Sequence, residues 1–280
     1  MIWKLADREL ELSDPVAVGI VNVTEDSMFG GARSGTPEGA IADGRALVAA
    51  GFDMLDVGAL AARSGRPVEP EEEIAALVPA IEGLAPLGPP LSADTFSAEV
   101  GRRALTAGAV AINDIGGGSD EMFDLVAECG CGYVLMHIEG PPRVDRDSPR
   151  YADVVDHLRA WFAERVAVAV DRGVDPRQIA IDPGLDFDLG TDDDLAILRR
   201  LGELGELDLP LYVSLSRKDF LGAVLAGSWE QRAPAEEREW ATVAAVSLAV
   251  AAGARVLRVH DESSLQAVRV AGRIGAGDRN

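Results

Sequence analysis

Eight times along this chain a short apolar run ends in a side chain able to do chemistry. Val-Ala-Val-Gly-Ile-Val ends in Asn22, Met-Leu in Asp56, Leu-Ser-Ala in Asp94 and Val-Ala-Ile in Asn113. Tyr-Val-Leu-Met ends in His137 and Ile-Ala-Ile in Asp182, Leu-Tyr-Val runs into Ser214-Leu-Ser-Arg-Lys218, and Val-Leu-Arg-Val ends in His260. Between the runs lie segments of helical period, at 37–50, 71–84, 98–107, 121–128, 152–172, 193–204, 240–252 and 263–274. Strands alternating with helices imply parallel pairing and right-handed crossovers. Eight such units in 280 residues fit one closed (β/α)8 TIM barrel, an α/β fold taking residues 1–280 as a single domain. In that fold the C-terminal strand ends converge, so the eight polar ends are expected to share one mouth.

Residues 2–13 alternate polar and apolar positions, as in a short N-terminal hairpin lying outside the barrel. Gly51, Gly108, Gly173 and Gly253 each fall between a helical segment and a strand, where a left-handed C-cap is expected. A doubly wound open sheet would show a Gly-x-Gly-x-x-Gly turn after its first strand, and none is present; Gly116-Gly-Gly118 reads as a loop. The formal charge of −21 excludes nucleic acid and anionic membrane as natural partners. It leaves an anionic small molecule open, because surface charge farther than roughly 8 Å is screened and a few local cations decide the sign of a pocket. No apolar run approaches the roughly 20 residues that span a bilayer, and the first residues are too charged for a secretory signal. A soluble cytoplasmic protein is expected, with Cys129 and Cys131 as two buried thiols at a helix-to-strand turn.

Asp94, Asn113 and Asp182 would crowd polar side chains into one small space. Burying such a group unpaired costs roughly 2–7 kcal/mol, so a ligand rich in hydrogen-bonding groups is expected there. A flat heterocycle with an amidine-like edge suits Asp182, whose carboxylate accepts two parallel hydrogen bonds. Lys218, Arg258 and His260 come from the last two strands, a frequent phosphate site in barrels. Arg258 and His260 are two apart on a strand and point to the same side, which suits an anion; Arg217 is assigned instead to an ion pair. Asn22 opens a segment able to hold Mg²⁺ against a phosphate oxygen. The loops 29–35 and 58–70, the second carrying Arg63 and Arg66, are placed to act as lids.

These residues resemble the dihydropteroate synthase family of pterin-binding barrels. The matching blocks are Gly19-Ile-Val-Asn-Val-Thr-Glu-Asp-Ser27, Asp56-Val-Gly58, Ser92-Ala-Asp-Thr95, Ile112-Asn-Asp114, Met136-His137, Asp182-Pro-Gly184, Ser214-Leu-Ser-Arg-Lys218 and Arg258-Val-His260. The resemblance implies condensation of 6-hydroxymethyl-7,8-dihydropterin diphosphate with 4-aminobenzoate, giving dihydropteroate and pyrophosphate, with the diphosphate departing largely before the amine attacks. It implies that Asp94, Asn113, Asp182 and Lys218 bind the pterin and that Asn22, Arg258 and His260 bind the diphosphate, Asn22 also meeting Mg²⁺. Arg63, Ser216 and Phe187 would bind the aminobenzoate. Asp94, Lys218, Arg258 and His260 would carry catalysis, which here rests on charge stabilisation rather than on a general base. A homodimer is implied as well.

The departures from the family pattern lie in the loops. Glu25 and Met28 replace a proline and a phenylalanine, and 58–65 reads Gly-Ala-Leu-Ala-Ala-Arg-Ser-Gly where the family has Gly-Gly-Glu-Ser-Thr-Arg-Pro-Gly. Asp186, Phe187, Asp188 and Leu189 stand where Gly-Phe-Gly-Lys is usual. This pattern also resembles the sulfonamide-insensitive synthases, so an active enzyme with reduced sulfonamide sensitivity is expected. The alternatives are a pterin-binding paralogue without aminobenzoate transfer and a methyltetrahydrofolate methyltransferase; Arg258 and His260 argue against the latter, whose methyl donor carries no diphosphate.

Overall fold

An antiparallel hairpin, β1 (Ile2–Leu5) and β2 (Arg8–Glu11), precedes a ring of eight parallel strands. These are β3 (Val16–Asn22), β4 (Met54–Gly58), β5 (Leu91–Asp94), β6 (Ala111–Asp114), β7 (Gly132–Met136), β8 (Ile179–Asp182), β9 (Tyr212–Ser214) and β10 (Val256–Val259). Neighbours in chain order pair from β3 to β8 and from β9 to β10, and β10 returns to β3. A parallel bridge between Ile181 and Leu211 joins β8 to β9, so the barrel is nearly closed. The computed structural model describes residues 1–23, 35–60, 68–144 and 151–275. Arg63, Arg66, Glu25, Met28 and most of both expected lid loops lie outside the described residues.

Helices α1 (Pro37–Ala50), α2 (Pro70–Leu84), α3 (Ala98–Ala107), α4 (Asp120–Cys129) and α5 (Val154–Asp171) surround the first strands. Then come α6 (Thr191–Arg199), α7 (Leu201–Leu204), α8 (Asp219–Ala226), α9 (Glu239–Ala251) and α10 (Glu262–Gly275). Their starts are chemically marked. The Thr36 hydroxyl accepts from Gly39 N, that of Ser97 from Val100 N and that of Ser119 from Met122 N, while the Asp153 carboxylate accepts from Val155 N and Asp156 N. All four glycines expected to stop helices take positive φ, from 98° to 119°. The helix α8 was not expected from the sequence. It is only eight residues long, carries Gly222, and is buried at Phe220, Leu221, Gly222 and Ala223, so it has no clean amphipathic stripe. Cys131 is buried as expected, but Cys129, at the end of α4, is exposed.

Side-chain alternation divides each strand between two cores. Outward residues such as Leu55, Ala93, Ile112, Leu135, Ile181, Val213 and Leu257 pack against the helices. Inward residues Val16, Val18, Met54, Ala111, Val134, Ala180, Tyr212 and Val256 form a floor together with Trp3, Leu5 and Leu12. The hairpin stands outside the barrel wall as expected, yet it seals the N-terminal end. The Trp3 indole donates to Gln178 O at 2.7 Å and meets the Tyr212 ring edge-on. Gly132 is needed there, since a Cβ would lie 2.3 Å from Leu5 Cδ2. With the floor filled, ligand access is left to the opposite end.

Candidate active site

Strand register stacks the polar residues in levels. Asn22 aligns with Gly58, Gly58 with Asp94, and Asp94 with Asn113, which makes one level at the C-terminal mouth. Asp56 and Ser92 align one level deeper. Gly58 makes room for its neighbour: a Cβ there would lie 3.2 Å from Asp94 Cβ. Across the barrel, Asp182 aligns with Met136, and Arg258 with Ser214.

A buried network occupies the space between these levels. Arg258 Nε donates to Asp56 Oδ2 at 2.6 Å, and its Nη2 donates to Asp94 Oδ2 at 2.9 Å. Asn113 Nδ2 donates to Asp56 Oδ2 at 2.9 Å, and the Ser92 hydroxyl donates to Asp56 Oδ1 at 2.5 Å. Asp56 is therefore the hub, fully buried, with three donors on its carboxylate. The expectation that these side chains wait for a ligand to pair them is only partly met, because much of their hydrogen bonding closes within the protein. Arg258, read from sequence as an anion binder, spends two of its nitrogens on carboxylates; its place at the mouth stands.

One guanidinium serves two carboxylates, and the electrostatics follow. Burial pushes the Asp94 carboxyl up to about 7, the negative charge of Asp56 adds to the rise, and Arg258 opposes it. A raised acid pKa means that the folded state holds a proton more tightly than the unfolded chain. Stability from this group is present at low pH and is lost as pH rises from about 4 through about 7. Asp94→Asn is therefore expected to raise the melting temperature of the ligand-free protein at pH 8, with the gain shrinking toward pH 5. A gain independent of pH, measured by calorimetry, would rule out this titration.

Asp182 ends β8 and begins a tight turn. Gly184 N donates to its Oδ1 at 2.8 Å. Gly184 has φ of 72°, and a Cβ there would lie 2.2 Å from His137 O, so only glycine fits. Burial lifts the Asp182 carboxyl to about 6, with Gly184 N–H and Lys218 pulling the other way. Beside it lies an apolar patch of Ile115, Met136 and Ile138, flanked by Phe96 and Phe187. This is an apolar surface of the kind that packs on the face of a flat ring, at the same end of the barrel as Asn113 and Asp182.

Lys218 is placed by its surroundings rather than by its own strand. Its Nζ donates to Leu185 O at 2.8 Å and sits 4.6 Å from the centre of the Phe187 ring. The segment before it is clamped: Arg217 N donates to the Thr242 hydroxyl, Arg217 Nη2 pairs with Asp261 at 2.9 Å, and Arg238 Nη1 donates to Arg217 O. Arg217 thus makes the ion pair expected of it. Asp186 caps α8 by accepting from Phe220 N at 2.9 Å and from Asp219 N. That bond fixes the turn carrying Phe187 against the helix that follows Lys218. Ser216 Oγ accepts from His260 N at 3.3 Å, which joins two expected site residues. Burial, with Arg258 adding to the effect, pushes the His260 imidazole down to about 3, so the ring is neutral at ordinary pH.

His137 departs from expectation. Its neighbours Met136 and Ile138 face the mouth, so its own side chain points behind the wall, against Trp161. Asp114 likewise faces outward, accepting from Tyr133 Oη at 2.7 Å and from Gly116 N and Gly118 N. Seven of the eight polar ends share the mouth, not eight. Asp56, left without a role in the sequence reading, proves central. Its signal was a carboxylate inside an apolar strand, two residues before the strand end and on the inward side.

Comparison with known proteins agrees with this geometry. The family model described as pterin binding enzyme matches residues 18–260. The dihydropteroate synthase of Mycobacterium leprae is 39% identical over 272 residues, covering 94% of each chain. The structure of the Xanthomonas albilineans dihydropteroate synthase with 4-aminobenzoic acid superposes with a TM-score of 0.86 at 38% identity, covering 98% of both chains. The same enzyme in complex with 7,8-dihydropteroate gives 0.82 at 36% identity, again over 98% of both chains. Fold, strand-end residues and relatives agree: this chain belongs to the dihydropteroate synthase family of pterin-binding enzymes.

Proposed function

We propose that this chain condenses 6-hydroxymethyl-7,8-dihydropterin diphosphate with 4-aminobenzoate to give dihydropteroate and pyrophosphate. The observation that carries the reading is the apolar patch of Ile115, Met136 and Ile138, taken as one wall of a pterin slot, at the same barrel end as Asp182 and the Asp56–Arg258–Asp94 network. The pterin ring lies in the slot, its adjacent N–H donors on the Asp182 carboxylate. The C–O bond to the diphosphate breaks with its electron pair on the leaving group. The amine nitrogen of 4-aminobenzoate then bonds to the exocyclic carbon and loses a proton. Asp94 and Asp56 favour the positive charge that develops on the pterin, and Arg258 and Lys218 offset the departing negative charge. The carboxylates and cations are held before substrate arrives, so little reorganisation is needed.

Mg²⁺ suits the mouth near Asn22, which ends β3 half-buried at the level of Asp94. Its amide oxygen would supply one hard ligand, with diphosphate and water completing the shell, and the ion would neutralise leaving-group charge. Ser216, on the turn before Lys218, and Phe187, whose ring meets the Lys218 ammonium, would contact the aminobenzoate, together with Arg63. A homodimer through the outer helices is supported by Trp240 and Leu248 on α9 and Val270 and Ile274 on α10, all exposed, Trp240 at 76% and Ile274 at 77%. No described helix is long and apolar enough to cross a membrane, and a cytoplasmic location goes with this reading.

The test is a coupled assay with both substrates, followed by titration with sulfamethoxazole. Expected are dihydropteroate formation at ordinary turnover and inhibition weaker than that of an ordinary synthase. Pterin binding without product would instead favour the paralogue that has lost aminobenzoate transfer. Inhibition as strong as that of an ordinary synthase would remove the sulfonamide claim alone.

A further inference from the structure

Behind β7, on the outside of the barrel wall, three ligand-type atoms converge. His137 Nε2 lies 3.2 Å from His157 Nε2 and 3.5 Å from Glu139 Oε1, and His157 Nε2 lies 2.9 Å from Glu139 Oε1. A tetrahedral ion with ligand bonds of about 2.0–2.1 Å holds its ligand atoms ~3.3 Å apart. The triangle has that size. The chain has three histidines, and two of them meet here through their Nε2 atoms. One shared proton satisfies a single pair in such a triangle, whereas a cation at its centre attracts all three lone pairs.

Hydrogen bonds and rings hold the three residues. The His137 backbone N–H donates to Asp182 O at 2.8 Å, which pins the end of β7. His157 sits in the first turns of α5, whose start is capped by Asp153. Tyr151 Oη donates to Glu139 Oε1 at 3.4 Å and orients the carboxylate. The Trp161 ring stands edge-on to His137 with centroids 5.0 Å apart, and the Tyr151 ring lies 4.6 Å from that of His157. These rings wall the spot on two sides. None of the three ligand residues belongs to the strand-end site.

We propose that His137, Glu139 and His157 form a binding site for a divalent transition metal of the Zn²⁺ class, with water as the fourth ligand. Two imidazoles and one carboxylate suit that borderline-soft ion and not hard Mg²⁺, which takes oxygen ligands. The ion would tie the segment after β7 to α5. Ile138, between two of the ligands, belongs to the apolar patch of the pterin slot, so loading would stiffen one wall of that slot.

The test uses the full chain stripped with chelator and titrated with Co²⁺, then with Zn²⁺. Expected are one Co²⁺ per chain with the visible bands of a four-coordinate site, displacement by Zn²⁺, and a melting temperature that rises with Zn²⁺. His157→Ala should weaken binding at least ~100-fold, no less than loss of an outer-shell partner does, and Glu139→Gln, which keeps the side-chain shape, should weaken it less. Urea unfolding of both metal-free variants checks that they fold. Failure to take up Co²⁺ at micromolar concentration would overturn the site, as would stoichiometric uptake unchanged in both variants.

Discussion

Arg258→Met is expected to be the most damaging single substitution at the mouth. It leaves Asp56 and Asp94 facing each other without the guanidinium that bridges them at 2.6 and 2.9 Å. Breaking a buried ion pair from one side costs about 3–5 kcal/mol, because the remaining charge has no compensation. Urea unfolding at pH 7.5 should show a loss of this size, and kcat/KM should fall at least ~1,000-fold. Arg258→Lys should recover part of the stability and little of the activity, since one ammonium cannot span two carboxylates as a planar fork does. The double variant Asp56→Asn, Arg258→Met should be less destabilised than the sum of its parts. Strict additivity would mean that the two side chains do not act as a unit.

The second large effect is at Asp182. An asparagine there keeps one acceptor and sets a donor against the two N–H groups of the ring. A loss of ~100- to 1,000-fold in pterin affinity is expected, because a buried donor is left facing a donor and the charge-assisted bonds are lost. The pH dependence follows from the burial that lifts this carboxyl to about 6. Protonated Asp182 cannot accept both donors, so binding should weaken about tenfold per unit below pH 6 and level off above it. A neutral pterin without the diphosphate isolates this limb from titration of the leaving group. The Asp182→Asn variant should give a flat profile; an identical limb in the variant would assign the titration to another group.

How much of this was legible from sequence can be judged residue by residue. The barrel order was, because each apolar run carries strand alternation and each intervening segment carries helical period. Asn22, Asp94, Asn113 and Asp182 stand at strand ends on the inward side, a position legible because a polar residue that ends an apolar run is conspicuous. His137 was misread as sharing the mouth, since two-residue counting decides facing and Met136 takes the inward place. The Asp56–Arg258 pair joins residues 202 apart in the chain, and only barrel closure brings them together. The placing of Lys218 depends on Leu185, Asp186 and Phe187 from another strand's loop, again a tertiary fact. The helix α8 escaped because its apolar residues run all round a short segment, buried at Phe220 to Ala223 and exposed at Val224 and Leu225, and leave no helical stripe to detect.

The most direct test of the account is a crystal structure of the chain with 6-hydroxymethylpterin bound. The ring is expected against Ile115, Met136 and Ile138, its N–H edge on the Asp182 carboxylate and Asn113 alongside, with Arg258 still bridging Asp56 and Asp94. A pterin seated away from Asp182, or an Arg258 that abandons both carboxylates when it binds, would contradict it.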